Sequence, residues 1–205
     1  MSSGTPLIVD TSVDSFENYI KSLSKKSRKN WSYVQKHNQD LTYSLEPYNK
    51  PLVDEFMQVW SKQIIHGNEE VRWGFDISYV NNLNESGVLR TFVARLNGVP
   101  IAVHFVEKHG EYVECHPPMY DKKYSDRYLA KYMWFNLIKW AIECDVHWID
   151  LGSGDRGNWR ELLLNRDKYP RIKYKWLYIS EEVKNNPGKQ PEYLVYNENN
   201  HKYIR

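Results

Sequence analysis

Residues 87–102 read Gly-Val-Leu-Arg-Thr-Phe-Val-Ala-Arg-Leu-Asn-Gly-Val-Pro-Ile-Ala, and they set the architecture of the chain. On either side of Asn97-Gly98 the stretch is rich in β-branched and aromatic residues, which favour strands. Asn-Gly is the dipeptide that best fits a two-residue hairpin turn, because both turn positions need a positive φ. The stretch therefore predicts two antiparallel strands, and residues 111–116, after a second turn, predict a third.

A long amphipathic segment follows and predicts a helix over residues 126–143, with Asp126 at its N-terminus. Its apolar residues recur every three or four positions, as on the buried face of a helix. A buried strand is predicted next, over residues 147–151, and Gly152-Ser-Gly154 closes it. Because a crossover helix joins strands of one sheet, the strands before and after this helix are expected to be parallel.

The same periodicities predict the remaining elements: helices from residue 16, from Pro51 to near Gly67, over 77–85 and over 158–164, and strands over 41–45 and 172–179. This order predicts an α+β fold with a mixed, mostly antiparallel central sheet flanked by helices. We expect one domain over residues 15–180. An extended N-terminus over residues 1–14 precedes it, and a polar C-terminal tail over residues 181–205 follows it.

Composition and charge exclude several classes of function. The 28 basic residues are balanced by 26 acidic ones, whereas a nucleic-acid binder usually carries a basic excess, so we expect no nucleic-acid partner. No apolar run is long enough to span a bilayer, and the N-terminus has no signal-peptide core. Two cysteines are too few for a disulfide framework. We therefore expect a cytoplasmic protein without a membrane partner.

The element order, residues 87–102 and the motif Asp150-Leu-Gly-Ser-Gly-Asp155 together resemble the GNAT superfamily of N-acetyltransferases, and in particular its FemAB/CelD-like branch. In that branch an Asp-Phe-Gly-x-Gly-Asp motif follows a hydrophobic strand. The resemblance covers residues 15–179. It implies a GNAT-like fold and transfer of an acetyl group from acetyl-CoA to a primary amine by direct attack. A small molecule is the expected acceptor, with an amino sugar, free or nucleotide-linked, as the favoured one.

The resemblance also implies a cofactor site at the start of the long helix. The first amides of a helix lack intrahelical partners and its dipole attracts anions, so pyrophosphate binds there. The strand over residues 111–116 is implied to run beside the thioester. Cofactor contacts are accordingly expected from two strand residues and from the first residues of the helix: Val113, Cys115, Arg127, Tyr128, Leu129, Ala130, Lys131 and Tyr132. No metal site is expected, because Cys115 and His116 project to opposite faces of a strand.

The proposed reaction needs a base for the amine and a proton donor for the leaving thiolate. Glu114 and His116 alternate onto one strand face, so both can act on one substrate. The candidate catalytic residues are two carboxylates, a histidine and a tyrosine for the thiolate: Glu114, Asp155, His116 and Tyr124. The candidate substrate contacts lie around the Gly loop: Asp150, Asp155 and Trp159. For the aspartates two roles stay open, holding a cationic amine and fixing the loop.

Two other functions stay open. A FemAB-like enzyme would move an aminoacyl group from charged tRNA to a peptide amine with the same fold. A non-catalytic GNAT-like binding module is the other alternative. Most GNAT enzymes carry a Gln/Arg-x-x-Gly-x-Gly/Ala signature at the start of the long helix, whereas residues 125–132 contain no glycine.

Overall fold

A computed structural model describes residues 5–65, 77–154, 159–165, 172–174, 195–197 and 202–204. Its helices are α1 (Phe16–Ser22), α2 (Lys25–His37), α3 (Lys50–Ile65), α4 (Ile77–Glu85) and α5 (Leu129–Glu143). Its strands are β1 (Thr5–Asp10), β2 (Leu41–Glu46), β3 (Leu89–Leu96), β4 (Val99–His109), β5 (Tyr112–Cys115), β6 (Met119–Tyr120), β7 (Trp148–Gly154), β8 (Ile172–Tyr174), β9 (Val195–Asn197) and β10 (Lys202–Ile204). Two 3₁₀-helices cover Lys122–Arg127 and Trp159–Leu163.

The chain forms two compact units, and the first comprises Met1–Arg28, His109–Glu114 and Ala141–Arg205. In this unit β7 pairs antiparallel with β1 and parallel with β5. The parallel pairing confirms the expected relation of the two strands before and after the long helix. The three short strands β8, β9 and β10 form a separate antiparallel sheet.

Buried hydrogen bonds hold the first unit together around β7. The Tyr19 ring is fully buried, and its hydroxyl donates to the Leu163 carbonyl at 2.6 Å. Asn165 Nδ2 donates to the carbonyl of Asp10 at 3.0 Å, and the Thr11 hydroxyl donates to the carbonyl of Val146. These bonds connect residues more than 130 positions apart, so they fix residues 10–19 to residues 146–165.

The second unit comprises Lys29–Lys108 and Cys115–Trp140, and its strands β2, β3 and β4 pair antiparallel in that order. The short β6 pairs antiparallel with β4. Asn97 and Gly98 have φ of 51° and 81°, as a two-residue hairpin turn requires, so the predicted hairpin is confirmed.

Helices cover both faces of this second-unit sheet. Successive strand residues point to opposite faces, so neighbouring residues contact different helices. Ala102 packs with Leu129 and Met133 of α5 on one face. Val103 packs on the other with residues of α3 and α4. Taken unit by unit, the described strand pairings are mixed and mostly antiparallel and the sheet carries helices on its faces, so the predicted α+β class is confirmed.

Helix α5 begins three residues later than predicted. Asp121 caps the preceding 3₁₀-helix, accepting from the Lys123 amide at 3.0 Å, and Tyr128 then adopts a left-handed conformation with φ of 54°. The Tyr132 amide donates to the Tyr128 carbonyl at 3.1 Å, which makes Tyr128 the residue that precedes the first turn of α5. The prediction that Asp126 starts the long helix is therefore wrong.

Other boundaries differ less. The N-terminal segment predicted only as extended contains the strand β1, and β7 runs to Gly154 rather than ending at residue 151. The polar tail contributes β9 and β10. The predicted helix over residues 158–164 is a 3₁₀-helix, and the predicted helix end near Gly67 and residues 175–179 lie outside the described residues. Across the part of the chain that the structure describes, no helix is both long and apolar enough to cross a bilayer.

Candidate active site

A buried carboxyl group lies within β7 in the first unit. Asp150 is only 7% exposed, yet it accepts two hydrogen bonds. The Gly152 amide donates to its Oδ1 at 2.7 Å, and the Tyr112 hydroxyl donates to its Oδ2 at 3.0 Å. Burial raises the pKa of the Asp150 carboxyl above its ordinary value, while these two bonds and the nearby Arg160 act in the opposite direction. The sequence left two roles open for this aspartate, holding a cationic amine and fixing the Gly loop. The bond from the Gly152 amide fits the second role.

Glu114 stands beside Asp150 in the sheet. The parallel ladder of β5 and β7 pairs Tyr112 with Trp148 and ends with Glu114 opposite Asp150. Paired residues of neighbouring strands point to the same face, so this face carries both carboxyl groups. The structure thus brings together two residues that the sequence proposed separately, one as a base and one as a substrate contact.

In the described residues the β5–β7 ladder ends with this pair, one residue before the end of β5, whereas β7 stays paired with β1 as far as Gly154. Val113, on the opposite face of β5, is fully buried. Its side chain is therefore part of the core, and a ligand contact by this residue would have to use its main chain.

Residues 152–154, called the Gly loop although they form the end of β7, are held by an arginine that was not predicted from the sequence. Gly152 has φ of 79°, which side-chain-bearing residues rarely adopt, and a Cβ added there would lie 3.4 Å from Arg160 Nη1. Arg160 also donates to the Leu151 carbonyl. Trp159, predicted as a substrate contact, begins the following 3₁₀-helix and is half-buried. Asp155 lies outside the described residues.

The second unit holds the other predicted base. His116 Nε2 lies 2.8 Å from Glu107 Oε1, and the Tyr79 hydroxyl donates to that same oxygen. The side chains of His116 and Glu107 are 14% and 7% exposed. Neither Glu107 nor Tyr79 was proposed from the sequence. The available signal was an acidic residue on the face of β4 that also carries Val103 and Phe105.

A second histidine lies deeper in the same unit. His104 is fully buried, and its ring meets Trp134 edge to face at 4.7 Å between centroids. Burial lowers the pKa of His104 to about 3, and the charge of the nearby His116 acts in the same direction. His104 is therefore neutral at physiological pH.

The start of α5 carries most of the predicted cofactor contacts. The Arg127 guanidinium binds Asp40 in a bidentate pair, at 2.8 and 3.0 Å, and this pair lowers the pKa of the Asp40 carboxyl. The Tyr128 amide donates to the Ser125 carbonyl at 3.2 Å. The first intrahelical bond of α5 joins the Tyr132 amide to the Tyr128 carbonyl. The amides of Leu129 and Ala130 precede it and therefore have no acceptor within the helix.

The side chains around this helix start differ in exposure. Leu129 and Tyr132 are buried, so they belong to the core, whereas Tyr128 is 40% exposed. Lys131 Nζ lies 5.3 Å from the centre of the Tyr128 ring. Cys115 is buried, and Tyr124 is half-buried against the α2 and α5 core with Lys123 Nζ 4.9 Å above its ring. In the described parts of the chain, no group of three or more His, Cys, Asp or Glu side chains is arranged to hold a metal ion.

Residues 25–161 match the family described as the acetyltransferase (GNAT) domain. The fold is α+β, and the long helix α5 lies in sequence between two parallel strands, β5 and β7. Together with this match, it defines an acetyltransferase-type fold. The match covers well over half of the chain, so the protein belongs to the GNAT acetyltransferase family.

Solved structures share the fold at low identity. FemX matches with a TM-score of 0.56 and 12% identity, over 75% of this chain and 54% of FemX. L-PGS from Bacillus licheniformis matches with a TM-score of 0.51 and 18% identity, over 76% and 48% of the two chains. A conserved protein of unknown function from Bacteroides thetaiotaomicron VPI-5482 matches with a TM-score of 0.57 and 15% identity, over 80% and 56%.

At these identities the likeness shows the fold alone. The alignments span about half the length of these relatives. No curated protein matches the sequence.

Proposed function

We propose that the protein is an acyl-CoA-dependent N-acyltransferase that moves an acetyl group from acetyl-CoA to a primary amine of a small molecule. Membership of the GNAT family supports acyl transfer as the reaction class. The favoured acceptor is an amino sugar, free or linked to a nucleotide.

The pairing of Glu114 with Asp150 is the observation that carries this proposal. Two carboxyl groups on one sheet face attract a cationic amine, because each favours a positive charge nearby. Burial raises the pKa of the Asp150 carboxyl, whereas its hydrogen bonds from Gly152 and Tyr112 and the nearby Arg160 favour its charged form. The pair thus offers an anionic partner for the ammonium form of the acceptor and a carboxylate base for its deprotonation.

The end of the β5 ladder supports an acyl-pantetheine ligand. Beyond the end of a strand ladder, backbone amides and carbonyls can pair with a ligand that has amides of its own. The pantetheine arm of coenzyme A has such amides. We place it at the end of β5, with contacts through the main chain of Cys115, because the ladder pairs Val113 with Ile149.

The start of α5 supports the pyrophosphate of the cofactor. The amides of Leu129 and Ala130 belong to the first turn, where the helix dipole favours an anion. Lys131 adds a positive charge near this turn. Arg127 contributes a second one when a phosphate competes with Asp40 for its guanidinium.

In the proposed reaction Glu114 or His116 takes a proton from the acceptor amine, and the amine nitrogen attacks the thioester carbon. The carbon–sulfur bond breaks, and coenzyme A leaves as a thiolate that takes a proton from Tyr124. No covalent enzyme intermediate forms. Asp150, Asp155 and Trp159 contact the acceptor, and Asp150 also holds the Gly loop.

A thiol-release assay with acetyl-CoA and a panel of amines tests this function. We expect turnover with at least one cationic amine, and loss of turnover in one or more of Glu114→Gln, His116→Ala and Asp155→Asn. Glu111→Gln is the matched control for the first change, because Glu111 lies just before β5 but its side chain is 69% exposed. Unchanged turnover in all three site variants would show that the proposed site is wrong.

Aminoacyl transfer from charged tRNA to a peptide amine is the second candidate. The helix start favours it, because residues 125–132 carry no glycine of the usual GNAT signature and Tyr128 is left-handed. Replacing acetyl-CoA by charged tRNA in the same purified preparation separates the two. Aminoacyl transfer without thiol release would select this candidate.

A further inference from the structure

The side chains of Tyr79, Glu107 and His116 form a hydrogen-bonded chain in the second unit, in which Glu107 is buried, His116 is half-buried and Tyr79 is 43% exposed. Glu107 Oε1 accepts from the Tyr79 hydroxyl and lies 2.8 Å from His116 Nε2. The Tyr79 and His116 rings also meet edge to face, with 6.1 Å between centroids. The main chain of His116 is fixed as well, since its amide donates to the Phe105 carbonyl at 3.2 Å.

The position of Glu107 argues against a purely structural role. It lies opposite Leu89 in the ladder and shares a face of β4 with Val103 and Phe105, which are packed in an apolar cluster. An apolar side chain would stabilise this position at no electrostatic cost, whereas a buried carboxylate must be compensated by hydrogen bonds. The compensation here includes a tyrosine hydroxyl and an imidazole.

We propose that Glu107, held by Tyr79, positions His116 as the base that deprotonates the acceptor amine. This inference rests on the proposed function and deepens it. A carboxylate only accepts hydrogen bonds, so His116 Nε2 carries a proton and Nδ1 carries the lone pair. Glu107 thereby selects the tautomer and the ring orientation.

The proton transfer balances as follows. The acceptor nitrogen gives one proton to Nδ1 and forms a bond to the thioester carbon. The carbon–sulfur bond breaks and its electron pair stays on the coenzyme A sulfur. The imidazolium that forms is stabilised by the adjacent Glu107 carboxylate, in the way a carboxylate stabilises the histidine of other acid–base pairs.

The ionisable groups around His116 include Glu107 from β4, Tyr79 from α4 and His104 from β4. His104 is neutral at physiological pH, so it does not compete for the proton. Among these described groups, Glu107 is the one within hydrogen-bond distance of the His116 ring.

Glu107→Gln tests the proposal, with Glu46→Gln as the matched control. Glu46 is also an ion-paired glutamate of this unit, bound to Arg95 at 2.7 Å, but it belongs to no proposed site. In Glu107→Gln we expect kcat to fall by about 10- to 100-fold while KM for acetyl-CoA changes little. Glu107→Asp should restore part of kcat.

Nitrogen-15 NMR of the free protein gives a readout that does not need activity. With the His116 signals assigned by a His116→Gln variant, the wild type should show the tautomer protonated at Nε2, and Glu107→Gln should populate the other. Tyr79→Phe serves if Glu107→Gln does not fold. It should keep the tautomer and lower kcat less.

Each result has a definite reading. Wild-type kcat in Glu107→Gln, or a fall equal to that in Glu46→Gln, would overturn the positioning role. A wild-type tautomer protonated at Nδ1 would also overturn it. If the wild type acetylates no amine, the proposed function fails, while the NMR tautomer still decides whether Glu107 orients His116.

Discussion

Removing the carboxyl group of Asp150 should separate its two roles. In Asp150→Ala the Gly152 amide and the Tyr112 hydroxyl lose their acceptor. Each hydrogen bond to a charged group is worth about 1.5–3 kcal/mol, and relief of the buried charge offsets part of the sum, so we expect a loss of about 2–4 kcal/mol. In Asp150→Asn the side-chain oxygen still accepts from Gly152, so the cost should stay below about 1 kcal/mol.

The pH dependence of the folding stability shows whether burial of the Asp150 charge stabilises or destabilises the folded state. Burial raises the pKa of Asp150 in the folded protein above its ordinary value of 3.8, so the folded state binds this proton more tightly than the unfolded chain. The stability contributed by Asp150 therefore falls as pH rises from about 3.8 through the raised pKa. The wild type should accordingly gain stability relative to Asp150→Asn as the solution is acidified through that window.

Urea unfolding followed by tryptophan fluorescence, at several pH values from 4 to 7, measures both quantities. Equal stability of wild type, Asp150→Asn and Asp150→Ala at pH 7 would show that the carboxyl group does not hold the Gly loop. A difference between wild type and Asp150→Asn that grows in favour of the wild type with rising pH would contradict the raised pKa.

Three further outcomes are expected. Tyr19→Phe should lower the free energy of unfolding by about 1–2 kcal/mol in urea melts, because the buried Leu163 carbonyl loses its donor; an unchanged midpoint would contradict this. Gly152→Ala should cost about 1–2 kcal/mol from the left-handed backbone, and more than Gly87→Ala, which has φ of 75° but open space around it; equal losses would show that Arg160 does not crowd the loop. Asp40→Asn should tighten acetyl-CoA binding in calorimetry, because Arg127 is released for phosphate, whereas unchanged affinity would remove Arg127 from the cofactor site.

Local signals predicted much of the fold. The hairpin at Asn97-Gly98 was predicted from the turn residues alone, because asparagine and glycine are the residues that most readily adopt the positive φ that both turn positions need. Helix α4 was predicted with its observed ends, 77–85, from periodicity and the Ser86-Gly87 stop.

The features that were missed depend on contacts distant in the sequence. Strand β1 is defined by its pairing with β7, about 140 residues away, and its own sequence carries no turn signal that marks it. The start of α5 depends on the left-handed conformation of Tyr128, which a tyrosine rarely adopts and which no local pattern indicates.

The candidate site shows the same limit. Glu114 and Asp150 were proposed from their strand positions, but their side-by-side register depends on the parallel ladder. Glu107 and Tyr79 were missed because the bonds that make them notable join residues 28 and 9 positions apart. A buried acid in a strand is a visible signal, although only the structure shows its partner.

Isothermal titration of acetyl-CoA against the purified protein tests acyl-CoA use most directly. The proposed site at the start of α5 predicts saturable binding with one cofactor per chain, in competition with free coenzyme A. An absence of detectable heat at high micromolar cofactor, with the protein shown to be folded, would contradict acyl-CoA dependence and leave only the GNAT fold.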